Sequence, residues 1–333
     1  MARCCLRPLR LFAFLLAAVG APAQTILPPP APADPLTAVL HADDAERFAA
    51  LYAETQGRPT AQQLQQQYLK PGSYGIQVFT PGRIENAQHL AAFVAAHPEL
   101  YRDAISNCLP HLREYDGELR SIYLGLHGLY PTAKLPQIYV VFGAGNSGGT
   151  AGPGAQVLGL EVLCRISHGS DGLETTLRRF FAHETVHTLQ TDPTGAYASP
   201  LLAEVLTEGG ADFVAAMVTG KEPDPERAAW ALPREAELWK EFQADASLNL
   251  PEAQRKEPKA AAAAAYRWME NYGDAPKGWP YEMGYWIGLR IWQCYFTHAA
   301  DKQQAMDDVL HWNDPVAILR ASGYHGESCA LRP

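Results

Sequence analysis

His183-Glu184-Thr185-Val186-His187, inside FFAHETVHTLQ at residues 180–190, is a spacing that can do chemistry. On a helix His183 and His187 lie one turn apart, so both imidazoles leave the same face. Two ring nitrogens placed that way can reach one zinc ion at about 2.0–2.1 Å each. Glu184 follows the first histidine about 100° round the helix, which suits it to act on water rather than on the metal. Phe180, Phe181, Ala182, Val186 and Leu189 make the helix apolar round most of its circumference, and such a helix is buried. Two buried histidines and a buried glutamate need partners. A metal is one answer; a hydrogen-bonded core pair is the other.

The next helix bears on that choice. Ser199-Pro200 reads as an N-cap with Pro at the first helical position, and Gly220 suits the far end. Between them Glu204, Glu208 and Asp212 are spaced by four, so their carboxylates share one stripe. Like charges at that spacing repel, and residues 180–220 contain no Lys or Arg. An acidic stripe on an apolar helix without basic partners calls for a cation. Glu208, with Glu204 as the alternative, completes a His₂Glu set with an open fourth position. Asp212, one turn on, can accept the free N–H of a ligating histidine. Gly209 and Gly210 weaken the helix and make sense where another backbone comes close.

The elements that must position these residues are mostly helical. Periodicity predicts helices over 36–55, 59–69, 84–97, 99–127, 172–190, 199–219, 225–246, 259–271, 281–299, 301–310 and 314–321. Asp171 and Glu174 are spaced as a cap and its capping-box partner for the histidine helix. Residues 137–142 and 157–164 are strand candidates. The Gly-rich stretch 143–156 between them lacks the Lys-Ser/Thr ending of a phosphate loop and reads as a hairpin connection. The expected fold class is α+β, mainly helical with a small sheet. The expected parts are a helical 36–135, a zinc-binding core at 136–220 and a helical 221–333 belonging to the same unit.

Composition narrows the setting. The chain has 333 residues, enough for a sizeable core. Arg3, Arg7 and Arg10, an apolar run at 11–19 and Ala21-Pro22-Ala23 form a signal peptide over 1–23. A flexible Pro-rich leader follows at 24–35. That predicts export to the periplasm or beyond. Removing 1–23 removes three arginines and no acid, so the formal charge moves from −9 to −12. An acidic chain does not suit nucleic acid, and no later segment is apolar enough to span a membrane. Cys108, Cys164, Cys294 and Cys329 remain, with no CxxC spacing. Three pairings, or buried free thiols, are open to them.

The two motifs together resemble the gluzincins, the thermolysin-like zinc metallopeptidases that combine H-E-x-x-H on one helix with E-x-x-x-D on the next. Here these are His183 to His187 and Glu208-Gly209-Gly210-Ala211-Asp212. The chain is also similar to a family of predicted secreted bacterial zinc-dependent proteases through GNSGGT (145–150), AHETVH (182–187), EGGADF (208–213), ELWKEF (237–242) and EMGYWIG (282–288). The resemblance implies a metallopeptidase core, one zinc per chain, a peptide or protein substrate and Glu184 as general base. It also implies a downstream oxyanion donor, for which Tyr285 is the first choice and His168, His311 and His325 follow. Asn146 to Thr150 would line the groove beside a strand edge that takes extended peptide. A non-catalytic zinc-containing binding protein and a zinc hydrolase of a non-peptide bond are the alternatives.

Overall fold

The computed structural model describes residues 27–170, 172–191, 195, 198–327 and 329. The signal-peptide reading over 1–23 and the Asp171 cap lie outside them. Four short strands form one sheet in the order β1-β2-β4-β3: β1 Leu40–His41, β2 Gln137–Val141, β3 Gly149–Gly152 and β4 Ala155–Gly159. The first three in that order run parallel, with Val140 opposite Leu158. β3 turns back antiparallel on β4 through Gly154, whose φ of +69° a side chain would resist. The Gly-rich stretch therefore does not join the two expected strands as a hairpin, because β2 and β4 run parallel; it carries the edge strand β3 and the tight turn into β4. Helices make up most of the remainder, so the class is α+β and mainly helical.

The strand expected over 157–164 stops at Gly159, and Leu160–Ile166 is a helix. A continuous apolar run does not distinguish a buried strand from a buried helix. The change comes at Gly159, where a Cβ would sit 2.4 Å from the Ser147 carbonyl oxygen. The long helix expected over 99–127 is broken as well. It proceeds as Pro98–Asp103, a widened turn Ala104–Cys108 and a tight 3₁₀ run Leu109–Tyr115, then Asp116–Leu129. Pro110, with no N–H to donate, sits in the tight run. Helix 225–246 divides at Leu232–Arg234, again around a proline. Pattern reading missed Tyr74–Phe79, Leu160–Ile166 and Pro251–Lys256. Helices of six or seven residues are too short to show a period.

The Pro-rich leader is held from Leu27 onward. Leu27 exchanges two hydrogen bonds with the Gln77 amide, Gln137 Nε2 donates to the Ala31 carbonyl, and Ala33 N donates to the Leu135 carbonyl. Two glutamines thus satisfy a backbone that a proline run cannot pair with itself. Cys108 is bonded to Cys164 and Cys294 to Cys329. One contiguous core of buried side chains runs from Ala33 to Tyr324. Among the described residues no helix is long and apolar enough to cross a membrane.

Candidate metal centre

Three helices build the site. The histidine helix, Leu173–Leu189, opens from Gly172, and Glu174 pairs with Arg178 one turn on. Buried Gln156 of β4 fixes this helix to the sheet. Its amide donates to the Phe180 carbonyl at 2.7 Å, and its oxygen accepts from Thr185 Oγ1 at 3.2 Å. The carboxylate helix, Pro200–Thr219, has Pro at its start and ends on Gly220 in the left-handed conformation. The tyrosine helix, Met283–His298, crosses it at backbone contact: a Cβ on Gly288 would lie 1.9 Å from the Val205 oxygen, and one on Gly209 would lie 2.3 Å from the Gly288 Cα. Trp292 Nε1 donates to the Leu206 carbonyl and locks the crossing. Gly209 thus makes the backbone approach that the sequence suggested. Gly210 faces the side chains of Val309 and Trp292.

His183, His187 and Glu208 converge. The two Nε2 atoms are 3.0 Å apart, and Glu208 Oε2 is 3.2 Å from each. Among the described residues this is the group of His, Cys, Asp and Glu side chains whose donor atoms could share a cation. Ligands at about 2.0–2.1 Å in tetrahedral array about zinc stand about 3.3 Å apart. The observed triangle is close to that. Glu204 takes no part. It lines a cavity of about 540 Å³ with Glu270, Tyr266 and Met269, and burial together with Glu270 and Glu208 pushes its carboxyl up to about 7.

The far sides of both rings are committed. His183 Nδ1–H donates to Asp212 Oδ1 at 2.8 Å, and His187 Nδ1–H donates to Gln190 Oε1 at 2.8 Å. A carboxylate and an amide oxygen only accept, so each ring carries its proton on Nδ1. Each Nε2 lone pair then points at the convergence point, the tautomer that metal ligation needs. Gln190 is held in turn by donating to the Thr207 carbonyl. Sequence reasoning did not single out Gln190, although its place three residues after His187 put it within reach.

The electrostatics suit a cation. Burial works against charge on His183, but its bonds to Asp212 and Glu208 outweigh burial and raise it to about 10. His187 is raised too, against its own burial, chiefly by Glu208. Burial opposes ionisation of Glu208, yet the two histidines hold it well below the usual carboxylate range. Asp212 is lowered against burial by His183, Arg179 and Arg227.

Tyr285 belongs to this cluster. Its ring stacks on His183 at 5.7 Å between centroids. Burial first, and then the charge of the nearby Glu208 and Glu282 carboxylates, push its hydroxyl far above the ordinary range. Glu184 is partly exposed, and its charge acts on His187. The other histidines lie elsewhere. His168 lines a separate cavity of about 430 Å³ with His97 and Asp103. His311 reaches Asp307 at 3.8 Å and Thr191 Oγ1 at 3.5 Å, and His325 is exposed. Gly148 and Gly149, at the entry to β3, pack on Phe180 of the histidine helix.

The expectation of an acidic stripe with no basic partner needs correction at Asp212. Arg227, outside the 180–220 window, places Nη1 3.6 Å from Asp212 Oδ2. Arg179, one residue before that window on the histidine helix, acts on Asp212 as well, so the window's edge hid one partner and the next helix delivers the other. No family model matches the chain, and no curated protein or solved structure matches it. The reading of the site therefore stands on its geometry and chemistry.

Proposed function

We propose that the protein is an exported zinc-dependent metallopeptidase of thermolysin-like type. The observation that carries this reading is the triangle of His183 Nε2, His187 Nε2 and Glu208 Oε2 with both Nδ1 protons committed elsewhere. Two neutral imidazoles and one carboxylate with an open fourth position are the donor set of a catalytic zinc. When bound there, zinc supplies Lewis acidity, lowering the pKa of a coordinated water to about 7 and polarising a carbonyl.

The chain's own residues do the rest. Glu184, beside the first histidine and partly exposed, takes the proton of the attacking water and returns it to the leaving amine. Asp212 and Gln190 hold the ring tautomers. Tyr285 packs on His183 and keeps its phenolic proton, so it remains a donor for the developing oxyanion. The β3 edge offers unpaired backbone groups to an extended peptide, next to the helix that carries the histidines. Two disulfides and the signal-like N-terminus support an oxidising, exported setting. Intact Glu184 favours an enzyme over a zinc-holding binding protein.

Metal analysis of the purified chain tests the reading. About one zinc per chain, lost in His187→Ala, is expected from the three-ligand set. No metal in either protein after zinc is supplied overturns it. Hydrolysis of a lipid or glycan panel with no hydrolysis of peptides moves the same site to a non-peptide bond.

A further inference from the structure

Arg227 is 3 % exposed and comes from the short helix Pro225–Ala231, outside the three helices that build the metal centre. Its Nη1 lies 3.6 Å from Asp212 Oδ2, and its Nη2 lies 3.1 Å from Asp224 Oδ2. The guanidinium carbon stands 5.1 Å from the centroid of the Tyr285 ring. Both of its inner neighbours touch His183. Asp212 accepts from the imidazole edge through its other oxygen, and Tyr285 stacks on the imidazole face at 14° between planes.

We propose that Arg227 is a positioning residue for the metal centre: through Asp212 it fixes the edge of His183, and through Tyr285 it fixes the face. This rests on the zinc reading above. Asp212 divides its two oxygens: Oδ1 accepts the imidazole hydrogen bond at 2.8 Å, and Oδ2 faces the guanidinium at ion-pair distance, 3.6 Å, in a field that Arg179 shares. Tyr285 carries both the guanidinium, 5.1 Å from its ring centroid, and the stacked His183 imidazole, which restrains the ring's plane. A flat, fixed cation suits this double contact better than an ammonium does, because it stacks and forks at once.

The arrangement is a poor device for stability alone. Arg227 Nε is buried with no hydrogen-bond partner among the described residues. A buried charged group with one donor unpaired costs free energy that a hydrophobic residue of similar size would not. What the arginine gives in return is the placement of the two side chains that hold His183.

The test is zinc affinity by chelator competition on the full chain, together with the visible absorption of the cobalt-substituted protein. Arg227→Met is expected to weaken zinc about 10- to 100-fold, the range for supporting groups behind ligands, and to alter the cobalt spectrum. Arg227→Lys, which restores charge without the planar fork, should recover only part of that loss. Because Arg227 acts through Asp212, the double variant Asp212→Asn/Arg227→Met should lose less than the two single losses combined. Wild-type affinity and an unchanged cobalt spectrum in a folded Arg227→Met overturn the proposal, as does full additivity. Should Arg227→Met fail to fold, Asp224→Asn decides. It keeps a side-chain oxygen to cap the helix and removes the charge that holds the outer arm of Arg227. Several-fold weaker zinc at an unchanged metal-free melting temperature supports the proposal, and unchanged zinc affinity overturns it. A wild-type chain that binds no zinc overturns the metal reading and this inference together. A wild-type chain that binds zinc no better than Arg227→Met overturns this inference alone.

Discussion

Gly209 and Gly288 meet backbone to backbone, and that contact carries Tyr285 onto His183. A Cβ on Gly288 would lie 1.9 Å from the Val205 oxygen and 2.9 Å from the Gly209 Cα. These are backbone atoms that no rotamer change can move. Gly288→Ala should therefore force the two helices apart and cost about 3 kcal/mol or more, at or above the usual range for overpacking. Urea denaturation measures it. Gly128→Ala, in a helix with nothing within 4 Å of the added carbon, is the control. It should be neutral or stabilise by up to about 1 kcal/mol. Equal effects at the two positions would show that the close crossing does not matter.

Glu184→Gln separates chemistry from metal binding. Glu184 is absent from the converging triangle, so the amide should leave zinc content at the wild-type level. Turnover of a peptide substrate should fall at least about 10²- to 10⁴-fold, the range attributed to a positioned general base. Elemental analysis and a peptide-hydrolysis assay on the same preparation supply both readings. Full activity in the variant removes Glu184 from the mechanism.

The parts of this site that were legible in the sequence are those that obey a helical period. His183 with His187, and Glu208 with Asp212, are fixed by spacing once each segment is helical. Gly209 could be read as a close-packing position because a helix interior otherwise disfavours glycine; Gly210, read the same way, meets side chains instead. Arg227 and Gln190 were not legible. Arg227 reaches Asp212 across a turn between helices, and Gln190 depends on where its helix stops. The same limit applies to the fold. Leu160–Ile166 continues an apolar run begun by β4, and pattern alone gave no reason to change period at Gly159. The cysteine pairs 108–164 and 294–329 are set by tertiary contact, on which spacing is silent.

The two disulfides close loops of 56 and 35 residues. Constraint of the unfolded chain by loops of that size is worth about 4 kcal/mol each on the chain-entropy account, within a measured range of about 2–5. Replacing Cys294 and Cys329 together with serine should lower stability by that order. Intact-mass measurement with and without reductant establishes the bridges first, and urea titration gives the cost. A double variant as stable as the parent would mean that the bond adds nothing to the packing around it.

Glu161 gives stability a dependence on pH. It is fully buried, with Oε1 accepting from the N–H groups of Gly143 and Gly145 at 3.1 Å each and Oε2 without a partner among the described residues. Burial outweighs those two bonds and pushes the carboxyl up to about 7. The folded state therefore keeps a proton that the unfolded chain gives up near pH 4.3. Between those values the native state binds more protons, so stability falls as pH rises, by about 1.4 kcal/mol per unit at most and about 4 kcal/mol in all. The contribution is present in full below about pH 4 and lost above about pH 7. Glu161→Gln keeps an oxygen for the two glycine N–H groups and cannot ionise. Other buried groups titrate over the same range, so the difference between the two proteins is the quantity to follow. Relative to the parent, the glutamine variant should gain about 3 kcal/mol on going from pH 4 to pH 8. Parallel stability curves over that interval would mean that Glu161 is already ionised in the folded protein, and that its second oxygen has a partner.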